Sequence, residues 1–523
     1  MFTTAKGGTE LMHNELMLRL PQHYKDYFSI FNYLPQADTS KKLVYWNQLS
    51  YDQEAIQALK DENVVSQIDY FVFVSHWQSE KFRQIYNIPA YKTFVMENAC
   101  IGVFGKKVRG EKVKVCYTST PYRGLDVLLA AWELLNPQDA ELHVFSSCKI
   151  YGEDFAASEE PKYEHLYEKC KTLPNVVYRG SIANDELREE LASCDILAYP
   201  CTFEETSCIA VIEALCSGVR VITNNLGALP ETTQGWANMY PYIPNKEFHA
   251  VKFASLLKKD IELTRRGMFV NLLQFQQNIY TNKWMWDRRI LDWTEFLDTQ
   301  IIKNENFNIK NTWDKTIFKE CFIENEYGIQ KLEENDVVLD IGGHIGSFAR
   351  LCWNKGSRNI HGFEADVTNF AYYQSNAKEG VTITNKAVWR SDDDTSTVKF
   401  DTNIVDGNTG MGVVGDKGVE VEVIKLDFIL SQYEKVRILK IDVEGSEYPI
   451  LYTSQHLEKV DVIVGEFHEM DNALETIDDY TFNREGLAKF LEDNNFEVVK
   501  MEQASWSAVC GSFKAINKNF KND

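Results

Sequence analysis

Short unbroken apolar runs, each ending in polar residues, alternate along this chain with stretches whose apolar positions return every three or four residues. The first pattern predicts buried strands and the second predicts helices packed over them. From Lys112 onward the spacing predicts strands at Val113–Tyr117, Glu141–Phe145, Val176–Tyr178, Ile196–Tyr199 and Val219–Thr223, with helices at Leu125–Leu135 and Asp185–Ser193. Before them, Lys42–Trp46 and Ile68–Val74 read as strands. After residue 315 the pattern resumes: Val337-Val-Leu-Asp-Ile341 reads as a strand, Gly342, Gly343 and Gly346 as a tight turn, and Ser347–Trp353 as a helix. Further strands end at Glu364, Ile441 and His468. Alternation at this spacing gives parallel sheets covered by helices, an α/β chain.

Periodicity fades between 298 and 315, where Asn and Lys accumulate, so a connector is expected there. It divides the chain into residues 1–105, 106–297 and 316–523. Gly407–Gly418 is expected to form a loop or hairpin. The 523 residues exceed a single core, which agrees with several domains. A net charge of −22 opposes a phosphate-backbone partner, and nucleic acid is not expected. Eleven cysteines without a CxxC pair, together with no long apolar run, predict reduced thiols, no transmembrane segment and a cytoplasmic location. Peripheral membrane contact and oligomeric state stay open.

The polar ends of the later strands carry the candidate chemistry. Asp340 at a strand end would repel a pyrophosphate, and Ile341 breaks the dinucleotide Gly pattern. A carboxylate there suits S-adenosylmethionine (SAM), whose ammonium and sulfonium are cationic, with Glu364 placed for ribose hydroxyls. Val436-Arg-Ile-Leu-Lys-Ile-Asp-Val-Glu-Gly-Ser-Glu447 and Glu466-Phe-His468 place more titratable groups at the same sheet edge. Deprotonating an acceptor hydroxyl needs a base, for which His468 is the first candidate. Asp442, Glu466 and His468 are also competent ligands for a divalent cation. In the earlier region Glu205 and Glu213 stand eight residues apart on a loop and the helix after it, so both can border one cleft.

Through Asp340–Gly346, Glu364, Asn376, Leu426-Asp427, Lys440–Glu447 and Glu466-Phe-His468, residues of about 315–515 resemble the FkbM family of SAM-dependent O-methyltransferases. That resemblance implies a Rossmann-like class I methyltransferase domain, with Asp427 joining Asp340, Gly342, Gly343, Gly346 and Glu364 around the cofactor. Phe203–Gly218 and Ser119–Leu129 resemble the donor-binding domain of GT-B glycosyltransferases of the family 4 type, and Met1–Glu10 looks like the glycine loop that follows that family's first strand. The resemblance implies two Rossmann-like domains, the first shortened, and retaining transfer from a UDP-, GDP- or dTDP-sugar. It places Ser119, Arg123 and a helix N-terminus at the diphosphate, Glu213 at the ribose, Glu205 at the donor sugar, and Gly8 at the cleft. Thr118 stands where the family carries an Arg, and Asn47 where relatives often carry His. Together these imply a bifunctional enzyme that adds a sugar to a glycan or glycolipid and O-methylates a sugar hydroxyl. The alternative is an active methyltransferase whose first half is a non-catalytic glycan-binding or docking module.

Overall fold

The computed structural model describes residues 7–102, 110–401, 412–415, 417–469, 474–505 and 507–520. Met1–Lys6 and half of the Gly407–Gly418 segment, residues 407–411 and 416, lie outside them. The chain forms two compact units, Met1–Leu297 and Asp298–Asp523.

The first unit holds two parallel sheets. The smaller has the order Phe28–Phe31, Lys42–Asn47, Tyr70–Phe73, Thr93–Val95. Phe28–Phe31 is not among the strands read from the sequence; all four of its residues are buried, so it shows no alternation. The larger sheet runs Asn238–Tyr240, Arg220–Asn224, Ile196–Tyr199, Val113–Tyr117, Ala140–Val144, Val176–Tyr178. Chain order therefore reverses between Val113–Tyr117 and Ile196–Tyr199. A crevice opens beyond the strand ends at such a switch point. The strands alternate with helices Leu125–Leu135, Asn184–Ala192 and Ile209–Cys216, as the apolar spacing requires.

Two contacts tie the lobes of this unit together. Trp46 on the smaller sheet meets Trp293 of the helix Trp286–Glu305 edge to face, with ring centroids 5.1 Å apart and both rings fully buried. Such a pair contributes about 1 kcal/mol beyond its burial. Glu231, on the helix Leu229–Thr233, accepts from the backbone N–H groups of His76 (2.8 Å) and Trp77 (2.6 Å) at the start of the helix His76–Tyr86. A carboxylate at a helix N-terminus satisfies orphan donors and opposes the helix dipole.

The second unit is built on a seven-stranded sheet, in the order Val381–Thr384, Asn359–Phe363, Val337–Ile341, Val436–Ile441, Val460–His468, Cys510–Asn517, Phe496–Gln503. Cys510–Asn517 alone runs against its neighbours. The switch point lies between Val337–Ile341 and Val436–Ile441. A small sheet adds Ala387–Trp389, Val419–Lys425, Thr397–Asp401 and Val413–Gly415, the last within the glycine-rich segment. Residues 298–315, read as a connector, contain the end of the helix Trp286–Glu305 and the start of the helix Thr312–Phe318, which Asn311 caps. Among the described residues no helix is long and apolar enough to cross a membrane. All eleven cysteines are buried and unbridged.

Candidate active sites

At the switch point of the first unit a cleft of about 420 Å³ is lined by Gly8, Ser119, Arg123, Glu205 and Glu213, the five residues expected there. The strand Val113–Tyr117 delivers Ser119, and the turn Pro121–Arg123 delivers the guanidinium. Gly124 follows with φ +114°; a Cβ there would lie 2.1 Å from the Pro200 carbonyl oxygen, so only glycine lets the two loops approach.

Arg123 Nη1 donates to Glu205 Oε1 at 2.6 Å, and the buried Tyr199 hydroxyl donates to the same oxygen. Burial works against the guanidinium's charge, but Glu205 outweighs it and holds Arg123 well above its ordinary value. Its plane also packs on Phe203, 4.6 Å from the ring centroid. Among the described lining residues Arg123 is the sole Lys or Arg side chain. Thr118, where a second cation was expected to be missing, leaves its buried hydroxyl without a partner. Burial raises the Glu213 carboxyl, and the buried Arg188 opposes that shift from 3.3 Å. Arg188 and Tyr199 escaped the sequence reading because neither sits in a glycine-rich or acidic motif. Asn47 is buried inside its own turn, bonded to Leu49 N–H at 2.9 Å, and is not part of the cleft lining.

The second unit has a cavity of about 590 Å³ at its switch point. Gly342, Gly343, Glu364, Asp442, Glu466 and His468 line it. Asp340, Gly346 and Asp427 do not. Asp340 is fully buried behind the loop, accepting from the Tyr373 hydroxyl at 2.7 Å, with Lys440 Nζ 3.7 Å away. Burial raises its carboxyl, partly offset by Lys440. Its Oδ2 thus supports the loop, while its Oδ1 has no hydrogen-bond partner among the described residues. The Tyr373 ring also accounts for two glycines: a Cβ on Gly343 or Gly346 would stand 2.3 or 2.5 Å from it. Asp427 is a structural cap, accepting from Ser454 Oγ at 2.6 Å and Gln455 N at 3.0 Å.

Glu364 lies at the cavity with its carboxylate accepting from His344 N and Asp366 N, each at 2.8 Å. Burial nevertheless lifts it to about 7. Lys440 donates to the Gly342 carbonyl at 2.6 Å and sits 3.4 Å from Asp442. His468 Nδ1 faces Glu447 Oε1 at 3.0 Å, and its Nε2 faces Glu444 at 3.4 Å and Glu466 at 3.6 Å. Burial opposes the imidazolium, but Glu447 and Glu444 overcome it and hold His468 well above its ordinary value. With carboxylates facing both nitrogens the imidazolium is the favoured form, so acting as a base would require that proton to leave first. Glu444, in the left-handed region at φ +50°, is lifted to about 7 by burial and stands 3.4 Å from His468 Nε2.

Asp442, Glu447 and His468 bring donor atoms within 4.8 Å of one another. Glu447 spends both oxygens on N–H donors, Val443 N at 2.9 Å with His468 on one, and Gly445 N at 2.9 Å on the other. A divalent cation there would have to share those oxygens with the N–H donors and displace the His468 proton.

Residues 112–257 match the family described as Glycosyl transferases group 1, and residues 340–498 match the Methyltransferase FkbM domain. Over 143 residues, 27% of this chain, it is 24% identical to the hexuronic acid methyltransferase AglP of Haloferax volcanii. Over 75 residues, 13% of the chain, it is 36% identical to the GDP-mannose-dependent alpha-(1-6)-phosphatidylinositol monomannoside mannosyltransferase of Mycobacterium tuberculosis. The matches span 59% and 20% of those relatives' lengths. Among solved structures, a glycosyltransferase from Rickettsia africae covers 58% of this chain and 84% of its own at 14% identity and a TM-score of 0.44. Anabaena Alr3699/HepE in complex with UDP-glucose covers 50% and 73% at 18% identity and a TM-score of 0.40.

Proposed function

The chain carries a group 1 glycosyl transferase domain followed by an FkbM methyltransferase domain, and from that premise we propose that it builds and decorates a glycan. The first unit would transfer a sugar from a nucleotide-linked donor to a glycan or glycolipid. The second would O-methylate a sugar hydroxyl with SAM. Joining both in one chain raises the effective concentration of one product at the other site.

The observation that carries the methyltransferase reading is the cavity at the switch point, where Gly342, Gly343, Glu364 and Asp442 surround space fit for a cationic, ribose-bearing ligand. SAM supplies an electrophilic methyl group there. Glu364 would accept from ribose hydroxyls, and Asp442 would face the cationic end. The acceptor's hydroxyl proton passes to a carboxylate, for which Glu444 at about 7 is well matched near neutrality. His468, kept charged by Glu447, holds Glu444 and Glu466 in place as a positioning residue. Calorimetry with SAM tests this reading: expected is one site lost in Glu364→Ala, and no heat of binding would sink it.

In the first unit Arg123 would meet the donor diphosphate, with the hydroxyls of Ser119 and its neighbours as further donors. One observation favours a second reading. Arg123 is already committed to Glu205 at 2.6 Å, so a diphosphate must compete for it. A cleft with no free cation among its described lining residues suits an uncharged glycan held without turnover. Offering UDP-, GDP- and dTDP-sugars and scoring binding and hydrolysis by mass spectrometry separates the two. Turnover that Arg123→Ala abolishes supports the transferase; glycan binding without nucleotide binding supports the docking module.

A further inference from the structure

Part of the wall of the second unit's cavity comes from residues that precede the matched segment. Trp313, Glu320 and Glu326 line it, and they lie on the helix Thr312–Phe318, the π-helical turn Lys319–Ile323 and the chain just after it. Such π turns recur at ligand sites because the widened backbone re-aims a side chain. Trp313 is 48% exposed, a large ring left uncovered at the cavity wall. An indole face in that position offers a platform for the C–H face of a pyranose or for a cation.

The charges of the wall are one-sided. Six acidic residues line it: Glu320, Glu326, Glu364, Asp442, Glu444 and Glu466. Each basic lining side chain already faces a carboxylate. Lys386 is 2.9 Å from Glu422, Lys440 is 3.4 Å from Asp442, His344 is 3.2 Å from Asp314, and His468 is 3.0 Å from Glu447. Among the described lining residues an incoming carboxylate would therefore find each cation already facing a carboxylate, whereas an ammonium would favour the ionised form of several acids. The acids themselves report the crowding: burial, then Glu320, lifts Glu326 to about 7.

Resting on the methyltransferase reading, we infer that this cavity accepts for methylation a sugar without a carboxylate and favours one bearing a free amine, its ring on Trp313 and its ammonium near Glu320 and Glu326. Specificity then resides in a segment outside the matched family region.

The test uses the full chain, saturated with SAM as followed by calorimetry, and the methyl glycosides of glucosamine, glucose and glucuronic acid in one anomeric form. S-adenosylhomocysteine release and mass spectrometry read the product. Expected is a kcat/KM order of glucosaminide, glucoside, glucuronide with at least a tenfold span, and a severalfold narrower span in the double variant Glu320→Gln with Glu326→Gln. Trp313→Ala is expected to raise KM for all three. If none is turned over, saturation-transfer NMR on the SAM-loaded protein compares their binding in the same order. A glucuronide used or bound as well as the glucosaminide overturns the inference while leaving the methyltransferase reading intact. Failure of SAM itself to bind overturns the reading beneath it.

Discussion

Replacing Glu447 by Gln tests whether the buried His468 pair holds the second site together. The Glu447 side chain is fully buried and accepts from Val443 N, Gly445 N and His468 Nδ1 at 2.9, 2.9 and 3.0 Å. An amide cannot accept at both of its ends, so one backbone N–H loses its partner and His468 loses its nearest counter-charge. Hydrogen bonds to a charged group contribute about 1.5–3 kcal/mol, and breaking a buried pair costs about 3–5 kcal/mol. Glu444 and Glu466 remain near the ring, so the expected loss is about 3–4 kcal/mol. For a unit of this size that lowers Tm by about 6–16 °C. Differential scanning calorimetry on the wild type, Glu447→Gln, His468→Gln and the double variant yields the coupling energy. His468 is raised in the folded state, so the pair's contribution is complete below the ordinary histidine value of about 6.5 and fades as pH climbs through the raised one. The deficit of Glu447→Gln is thus expected to shrink as pH rises above about 6.5. A loss below about 1 kcal/mol, the value of an exposed pair, or a deficit that grows with pH would refute this account.

Three further outcomes follow from the geometry. SAM is expected to bind more tightly as pH rises from about 6 to 8, because Glu364 and Glu444, both lifted to about 7, ionise there and a cationic ligand favours their charged form; calorimetry at a series of pH values would show affinity flat or falling if this is wrong. Tyr373→Phe strips the buried Asp340 of its hydroxyl donor at 2.7 Å and is expected to cost about 1–3 kcal/mol by chemical denaturation, with an effect under about 0.5 kcal/mol arguing against that support. Glu231→Gln leaves one of two helix N–H groups unanswered between the lobes of the first unit; hydrogen exchange at Trp77 is expected to speed up by about fivefold or more, corresponding to about 1 kcal/mol, and unchanged exchange would show that the contact carries no energy.

What the sequence by itself determined is what repeats along the chain. Apolar runs with polar ends, such as Val337–Ile341 and Val436–Ile441, fix the strands and say which end carries chemistry, because a buried strand is mostly apolar and charges such as Asp340 and Lys440 fall near its C-terminal end, where partners can meet them. The local motifs likewise brought Glu205, Glu213, Glu364, Asp442 and His468 to the two cavities. What only the tertiary structure decided is each group's partner. Asp340 turned inward because Tyr373, distant in sequence, offers it a hydroxyl; Asp427 is held by the Ser454 hydroxyl and the Gln455 backbone N–H. Three carboxylates converge on His468, Glu444 and Glu447 from the segment after Ile441 and Glu466 from its own strand, and they set its charge. Arg188 beside Glu213 and Trp313 at the cavity wall had no motif to mark them. Periodicity is a property of neighbours along the chain, whereas charge state, burial and pairing depend on neighbours in space, and a charged group's chemistry follows the latter.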